Sequence, residues 1–381
     1  MTDDKKINAN FLIIDNDDLL DKMISSCMSQ SCIALDTEFI RTDTFYPKPA
    51  LIQIYDGKQI YLVDPLKIKN IMPLKELLLA PTLIKVMHSC SEDMDVFSCL
   101  LDCYPQPLID TQVAANLIGH DFSISYQRLI EVTLGKVLDK TETRSNWLNR
   151  PLSAQQLQYA ANDVFWLLDA YHALIENLQK LGRLTWLQQD CEALVNRHED
   201  GLDFDQYYLK IKSAWRLSRS ELNVFKSLCA WRESSARQQN RPRGRLLSDG
   251  TMLTLARLRP KTVHDLSQVK EINPAVMRKY GEHILSVISF ANDCPEAEYP
   301  PLMFNGNSLR VKQSLKEMKL VVASTANTLG VQEAVIASRK DMESYLSSAD
   351  PSDETLGRGW RGEILSPALH KIAKNYRQSQ V

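Results

Sequence analysis

Two carboxylates stand where an apolar strand would ordinarily exclude them: Ile33-Ala34-Leu35-Asp36-Thr37-Glu38-Phe39 is a hydrophobic run interrupted by Asp36 and Glu38. Burying a carboxylate without a partner is costly. Side chains alternate along a strand, so the two acids share one face, about 7 Å apart, a spacing suited to gripping one or two cations. A half-exposed strand with a solvated acidic face carries the same pattern. A second acid lies in His88-Ser89-Cys90-Ser91-Glu92-Asp93-Met94-Asp95-Val96-Phe97. There Ser89 and Glu92 read as an S-x-x-E capping box that puts Asp93 in a first helical turn. Helix-start electrostatics alone would also favour acids at that point. The third clue is Leu157 to Leu168, where Leu157, Ala160, Val164, Leu168 and Tyr171 form the apolar stripe of a core-facing helix. Tyr159 and Asp163, four residues apart and off that stripe, share a face and project together, either into a cleft or into solvent.

The elements that must position these groups follow a mixed order. A short helix is expected over Asp17–Ser26, a strand over Cys32–Ile40, and a hairpin from Ala50–Tyr55 to Gln59–Val63 across Asp56-Gly57. Lys75–Leu79 reads as a helix end, Leu83–His88 as a buried strand and Glu92–Leu101 as a helix, which is α/β character throughout the front half. Helical patterns dominate beyond Gly182, with linkers expected at His198–Asp205, at the proline-bearing Asp293–Pro301 and at the polar Ser347–Gly359. At 381 residues, two or three domains are expected.

Charge is unevenly spread over those domains. Residues 1–200 hold 18 basic and 28 acidic side chains, net −10, whereas residues 201–381 hold 27 and 19, net +8. A basic rear half suits a polyanionic partner. Eight scattered cysteines, without a CxxC pair or a zinc-finger spacing, read as small buried hydrophobes in a reducing compartment. The first ten residues lack an apolar signal core, and no run approaches the ~20 apolar residues of a membrane span. A cytoplasmic protein is expected.

In order and context, Asp36-Thr37-Glu38, Asp93, and Tyr159 with Asp163 resemble the tyrosine-containing DEDD exonuclease pattern. The surrounding phrases Leu35–Phe39, Ser91-Glu92-Asp93, Leu108–Gln112, Arg150-Pro151-Leu152 and Tyr159-Ala160-Ala161 are similar to bacterial ribonuclease D. The resemblance is close over the front half and continues with lower specificity to Gly359-Trp360-Arg361-Gly362-Glu363. It implies an α/β DEDD, or ribonuclease H-like, exonuclease domain at 1–200 with a mixed sheet flanked by helices. Behind it are implied an all-α HRDC domain at 211–292 and a second HRDC-like helical domain at 301–376.

The activity implied is 3′-to-5′ hydrolysis of RNA to nucleoside 5′-monophosphates by a monomer acting on accessible 3′ ends, those of transfer-RNA precursors among them. Phosphodiester cleavage builds negative charge on attacking, leaving and non-bridging oxygens, and two hard divalent cations, Mg²⁺ or Mn²⁺, meet that need. By resemblance Asp36, Glu38, Asp93 and Asp163 are their ligands, and Tyr159 hydrogen-bonds the attacking water. Lys140, Arg144 and Trp147 either contact phosphate and a terminal base or serve as surface and packing residues. Arg241, Arg243 and Arg245, just before the HRDC-like phrase Leu253–Leu285, are candidate phosphate contacts. His88, at a strand end, reads as a packed, hydrogen-bonded histidine. A DNA exonuclease of the same superfamily and a catalytically silent RNA-binding scaffold are the alternatives.

Overall fold

A computed structural model describes residues 10–138, 145–199 and 203–378. The chain divides into two compact units: the first holds residues 1–40, 47–199 and 312–381, and the second holds 41–46 and 200–311.

The first unit is built on a six-stranded mixed sheet. Its strands are β1 (Phe11–Ile14), β2 (Cys32–Ile40), β3 (Lys48–Tyr55), β4 (Ile60–Val63), β5 (Ile84–Met87) and β6 (Leu108–Asp110), in the order β1-β4-β3-β2-β5-β6. Alternation sorts β2 into two faces. Ile33 and Leu35 join Ile52, Ile54 and Val63 in one core cluster. Helices α1 (Asp17–Cys27), α2 (Pro73–Leu79) and α3 (Ser91–Leu101) cover that face, contributing among others Leu20, Leu77, Met94 and Phe97. The opposite face, with Ala34, Asp36 and Glu38, carries the acids.

Two features of β2 decide where the acids end up. Its antiparallel ladder with β3 continues to Ile40–Lys48, with a register shift between Glu38 and Phe39. The parallel ladder with β5 stops at Ala34–Val86. The end of β2 that bears Asp36, Thr37 and Glu38 therefore runs past β5, at the carboxyl ends of two parallel strands. Open α/β sheets form their clefts at such places.

The helices that follow are α4 (Thr111–Leu117), α5 (Tyr126–Leu134), α6 (Ala154–Phe165), α7 (Leu167–Lys180) and α8 (Leu184–Glu199). The apolar stripe expected to run unbroken to Tyr171 is divided at Trp166, which ends α6 and precedes α7 with φ −92 and ψ −3. Ala160, Ala161 and Val164 of α6 are fully buried, and α6 packs on β2, β3 and β4. Ser153 and Gln156 close a capping box at its start.

The C-terminal helices α13 (Leu309–Leu329), α14 (Glu333–Ile336), α15 (Arg339–Ser347) and α16 (Gly359–Gln378) belong to this first unit from residue 312 onward. Trp360 stacks on Trp186 of α8, ring centroids 4.5 Å apart and 10° from parallel. Beside the stack Arg361 forks Asp190, and its Nη2 donates to the Val335 carbonyl at 2.8 Å. Arg183 donates to the carbonyls of Leu117 and Leu329, each at 2.6 Å, closing the ends of α4 and α13 together. The backbones meet closely there: Gly119 has φ +98, and a Cβ on it would lie 2.4 Å from the Gly330 carbonyl oxygen.

The second unit is helical. Its helices are α9 (Arg219–Gln238), α10 (Asp249–Leu258), α11 (Val263–Ser267) and α12 (Pro274–Asp293), gathered around Leu222, Phe225, Leu228, Leu255, Leu266 and Ile284. Ser218 and Glu221 form a capping box at the start of α9. Residues 41–46 pack here: the backbone amides of Phe45 and Tyr46 both donate to Asn240 Oδ1, at 3.0 and 2.9 Å. Among the described residues no helix is long and apolar enough to cross a membrane.

Candidate active site

Asp36 and Glu38 leave the same face of β2, and α6 lays Asp163 against them. One carboxylate oxygen from each of the three lies within 4.8 Å of the others. Asp93 reaches the same place from the opposite side. It sits in the first turn of α3, directly after β5, and accepts a hydrogen bond from the Thr37 hydroxyl through Oδ1. Thr37 points away from Asp36 and Glu38 by strand alternation, so Asp93 meets β2 where β5 no longer shields it.

Four carboxylates in one recess hold protons unusually well. Desolvation is the leading cause in each case, and for Asp36 and Glu38 repulsion from the other acids adds to it. Glu38 is pushed up to about 9, with Asp163 and Asp93 as secondary causes. Asp36 rises well above the usual carboxylate range, through burial and then Asp93, Asp163 and Glu38. Burial takes Asp93 up to about 7 against the opposing hydrogen bond from Thr37. Asp163 rises to about 7 by burial, against a hydrogen bond from the Tyr159 hydroxyl. Tyr159 is raised by burial and by the negative field of Asp163, Glu38 and Asp36, so it stays a protonated donor. A set of hard oxygen ligands whose charge is not compensated among the described residues fits divalent cations of the magnesium and manganese kind.

The supporting residues explain the geometry. The Ser89–Glu92 capping box expected from the sequence does not form: Ser89 has φ 56, and α3 begins after Cys90 without a side-chain cap. The buried carboxylate of Asp110, at the end of β6, takes over. It accepts from the amides of Ser89 and Cys90, each at 3.0 Å, and from Gln112 at 2.7 Å, so one side chain fixes the turn into α3 and caps α4. A carboxylate offers two oxygens to two amides where a serine hydroxyl offers one. His88 is held from both ring nitrogens, Nδ1 to Thr111 Oγ1 at 2.9 Å and Nε2 to the Ile124 carbonyl at 3.0 Å, and is a packing histidine as expected.

Arg150 was not singled out by chemistry, yet it braces the approach to α6. It forks Asp64 at 2.7 and 2.8 Å and donates to the carbonyls of Ala50, Trp147 and Asn149. Trp147, only 4% exposed, lies against Tyr159 with ring centroids 6.1 Å apart, which makes it a packing residue. Lys140 and Arg144 lie outside the described residues. In the second unit Arg243 forks the fully buried Glu233 and stacks on Phe45 and Tyr207. A buried carboxylate demands such a partner, so Arg243 braces the unit's interior where the sequence suggested a phosphate contact. Arg241 is half-buried and Arg245 exposed.

A 3′-5′ exonuclease family model matches residues 11–179, and an HRDC domain model matches residues 221–288. Ribonuclease D of Pseudomonas paraeruginosa is 39% identical over 346 residues, 90% of this chain and 92% of that protein. Ribonuclease D of Escherichia coli is 31% identical over 375 residues, covering 97% of this chain and all of that one. The crystal structure of the Escherichia coli enzyme, described as an exoribonuclease involved in structured RNA processing, superposes with a TM-score of 0.90 over 96% of this chain and 99% of its own.

Proposed function

The chain belongs to the ribonuclease D family of 3′-to-5′ exoribonucleases, and from that membership we propose that it trims the 3′ ends of transfer-RNA precursors and other small structured RNAs, releasing nucleoside 5′-monophosphates. The observation that carries this reading is the meeting of Asp36, Glu38 and Asp163 within 4.8 Å, with Asp93 and Tyr159 beside them. Its superfamily depends on divalent metal; in this reading Asp36, Glu38, Asp93 and Asp163 hold two ions, Mg²⁺ or Mn²⁺.

Such ions supply positive charge toward the attacking, leaving and non-bridging oxygens when bound. The chain's own groups do the positioning. The Tyr159 hydroxyl donates a hydrogen bond to Asp163, which leaves the phenolic oxygen able to accept one from water. A water so held points one hydrogen at Tyr159 and turns a lone pair away from it, toward a phosphorus lodged over the acids. Raised above its ordinary range, Tyr159 orients that water without ionising. Arg150 and Trp147 keep Tyr159 in place.

The domain boundaries proposed are 1–200, 211–292 and 301–376, with the last block packed from residue 312 onward against the exonuclease unit. Arg241 and Arg245 are proposed phosphate contacts, and the protein is proposed to act as a cytoplasmic monomer. The test is digestion of a 3′-tailed transfer-RNA precursor with and without Mg²⁺, beside a DNA oligomer of matched sequence. Metal-dependent release of 5′-mononucleotides from the RNA tail, stopping near the mature end, is expected. Preferential digestion of the DNA, or no release from either, overturns the reading.

A further inference from the structure

We propose that Thr37, the residue between the two strand acids, is a positioning residue for the cation site, acting through Asp93. Three observations support it. Thr37 lies on the face of β2 opposite Asp36 and Glu38, and its hydroxyl donates to Asp93 Oδ1. Both residues are buried, Thr37 at 6% and Asp93 at 8% exposure, so the bond is shielded from competing water. Asp93 is also the one acid of the four outside the tight cluster formed by the others.

These facts give the hydroxyl a definite task. Asp93 stands at a helix start, on a side chain whose terminal torsion is broad, and its carboxylate is held by its own backbone amide from within the turn and by the Thr37 hydroxyl from outside it. The hydroxyl commits Oδ1 to a neutral donor, which leaves Oδ2 as the oxygen with which Asp93 serves a cation. It also ties α3 to the unshielded end of β2, the only stretch of that strand the β5 ladder leaves open. The role is therefore to hold the acid that comes from the other face at a fixed setting relative to Asp36 and Glu38. This inference rests on the reading that Asp93 belongs to the metal site.

The experiment compares Thr37→Val, which keeps the shape and deletes the hydroxyl, with Thr37→Ser, which restores it, in the full chain. Mn²⁺ binding without RNA is measured by calorimetry and by electron paramagnetic resonance, and hydrolysis is measured across Mn²⁺ concentrations. Thr37→Val is expected to weaken one class of Mn²⁺ by tenfold or more and to shift the Mn²⁺ dependence of hydrolysis by a similar factor. Its melting temperature without metal should stay within a few degrees of the parent's, and Thr37→Ser should restore both readouts. Parental Mn²⁺ binding and parental metal dependence in Thr37→Val overturn the inference. Asp93→Asn separates the two levels: if it too binds and cleaves as the parent does, the assignment of Asp93 fails, whereas if it is inactive while Thr37→Val is normal, only the role of Thr37 fails.

Discussion

Tyr159 and Asp163, one turn apart on α6, are joined by a hydrogen bond in which the phenol donates and the carboxylate accepts. Removing that hydroxyl leaves the ring, its packing on Trp147 and all four acids in place. Tyr159→Phe should therefore slow the chemical step by about 100-fold, the scale of losing one positioned proton-transfer or hydrogen-bonding partner. Single-turnover digestion of a 3′-tailed RNA is the measurement, with RNA affinity expected to change less than threefold. An unchanged single-turnover rate would take Tyr159 out of the mechanism.

The carboxylates themselves make the opposite kind of prediction for stability. Asp36→Asn, Glu38→Gln, Asp93→Asn and Asp163→Asn should each cut hydrolysis by about 1,000-fold or more, since cation-borne charge stabilisation is worth several kcal/mol. Without metal, however, the melting temperature of Asp163→Asn should equal or exceed that of the parent, because a repelling, desolvated charge has been removed. Circular-dichroism melting in EDTA reads this directly.

Acidity and metal are linked at the same site. The folded acids are raised, Glu38 to about 9 and Asp93 and Asp163 to about 7, above the ordinary carboxylate value of the unfolded chain. Raised folded values favour the native state at low pH, and that advantage fades as pH climbs from the unfolded values through about 7 to 9. Divalent cations bind the deprotonated acids, so their stabilising effect grows over the same window. The gain in melting temperature on adding Mn²⁺ should be clearly larger at pH 8 than at pH 6. An equal gain at both values would contradict the assigned shifts.

The basic rear half predicts a length-dependent salt response. An RNA long enough to engage five or six phosphates beyond the active site should lose about 100-fold or more in affinity between 50 and 200 mM salt. A trinucleotide should lose far less. Filter binding to a catalytically dead Asp36→Asn protein separates the two cases, and Arg241→Ala with Arg245→Ala should flatten only the long-substrate slope.

Arg361→Met should destabilise the first unit by about 3 kcal/mol, the cost of leaving the mostly buried carboxylate of Asp190 with only the neutral Trp360 Nε1 donor and no cation. The Trp186–Trp360 stack beside it gives a fluorescence signal, so urea titration can register whether α16 leaves α8 before or together with global unfolding.

Asp36 and Glu38 could be read from the sequence because charges inside an apolar strand break a local rule; Asp93 at a helix start and the Tyr159–Asp163 pair off a helical stripe break none, and their order along the chain set them apart. What could not be read depended on distant partners. Asp110 takes the Ser89 amide that Glu92 was expected to cap, and the Cys90 amide with it, and it comes from a strand end about twenty residues away. Arg243 looked like a phosphate contact because its local run is basic, but the buried Glu233 that claims it is invisible to composition. The break of α6 at Trp166 was hidden because the apolar stripe keeps its spacing across it. Thr37 had no signal of its own, being an ordinary β-branched residue in a strand until Asp93 arrives from the other face.

Because Arg183 reaches the end of α13 and Trp186 waits for Trp360, the first unit is completed by segments that come after the second unit in the chain. An emerging polypeptide that has released only residues 1–200 displays the bare flank of α8, with Trp186 and Asp190 turned to water. The nuclease body and its late segments are thereby tied: synthesis halted before residue 312 leaves an unfinished, sticky surface, the kind of species that chaperones and proteases clear.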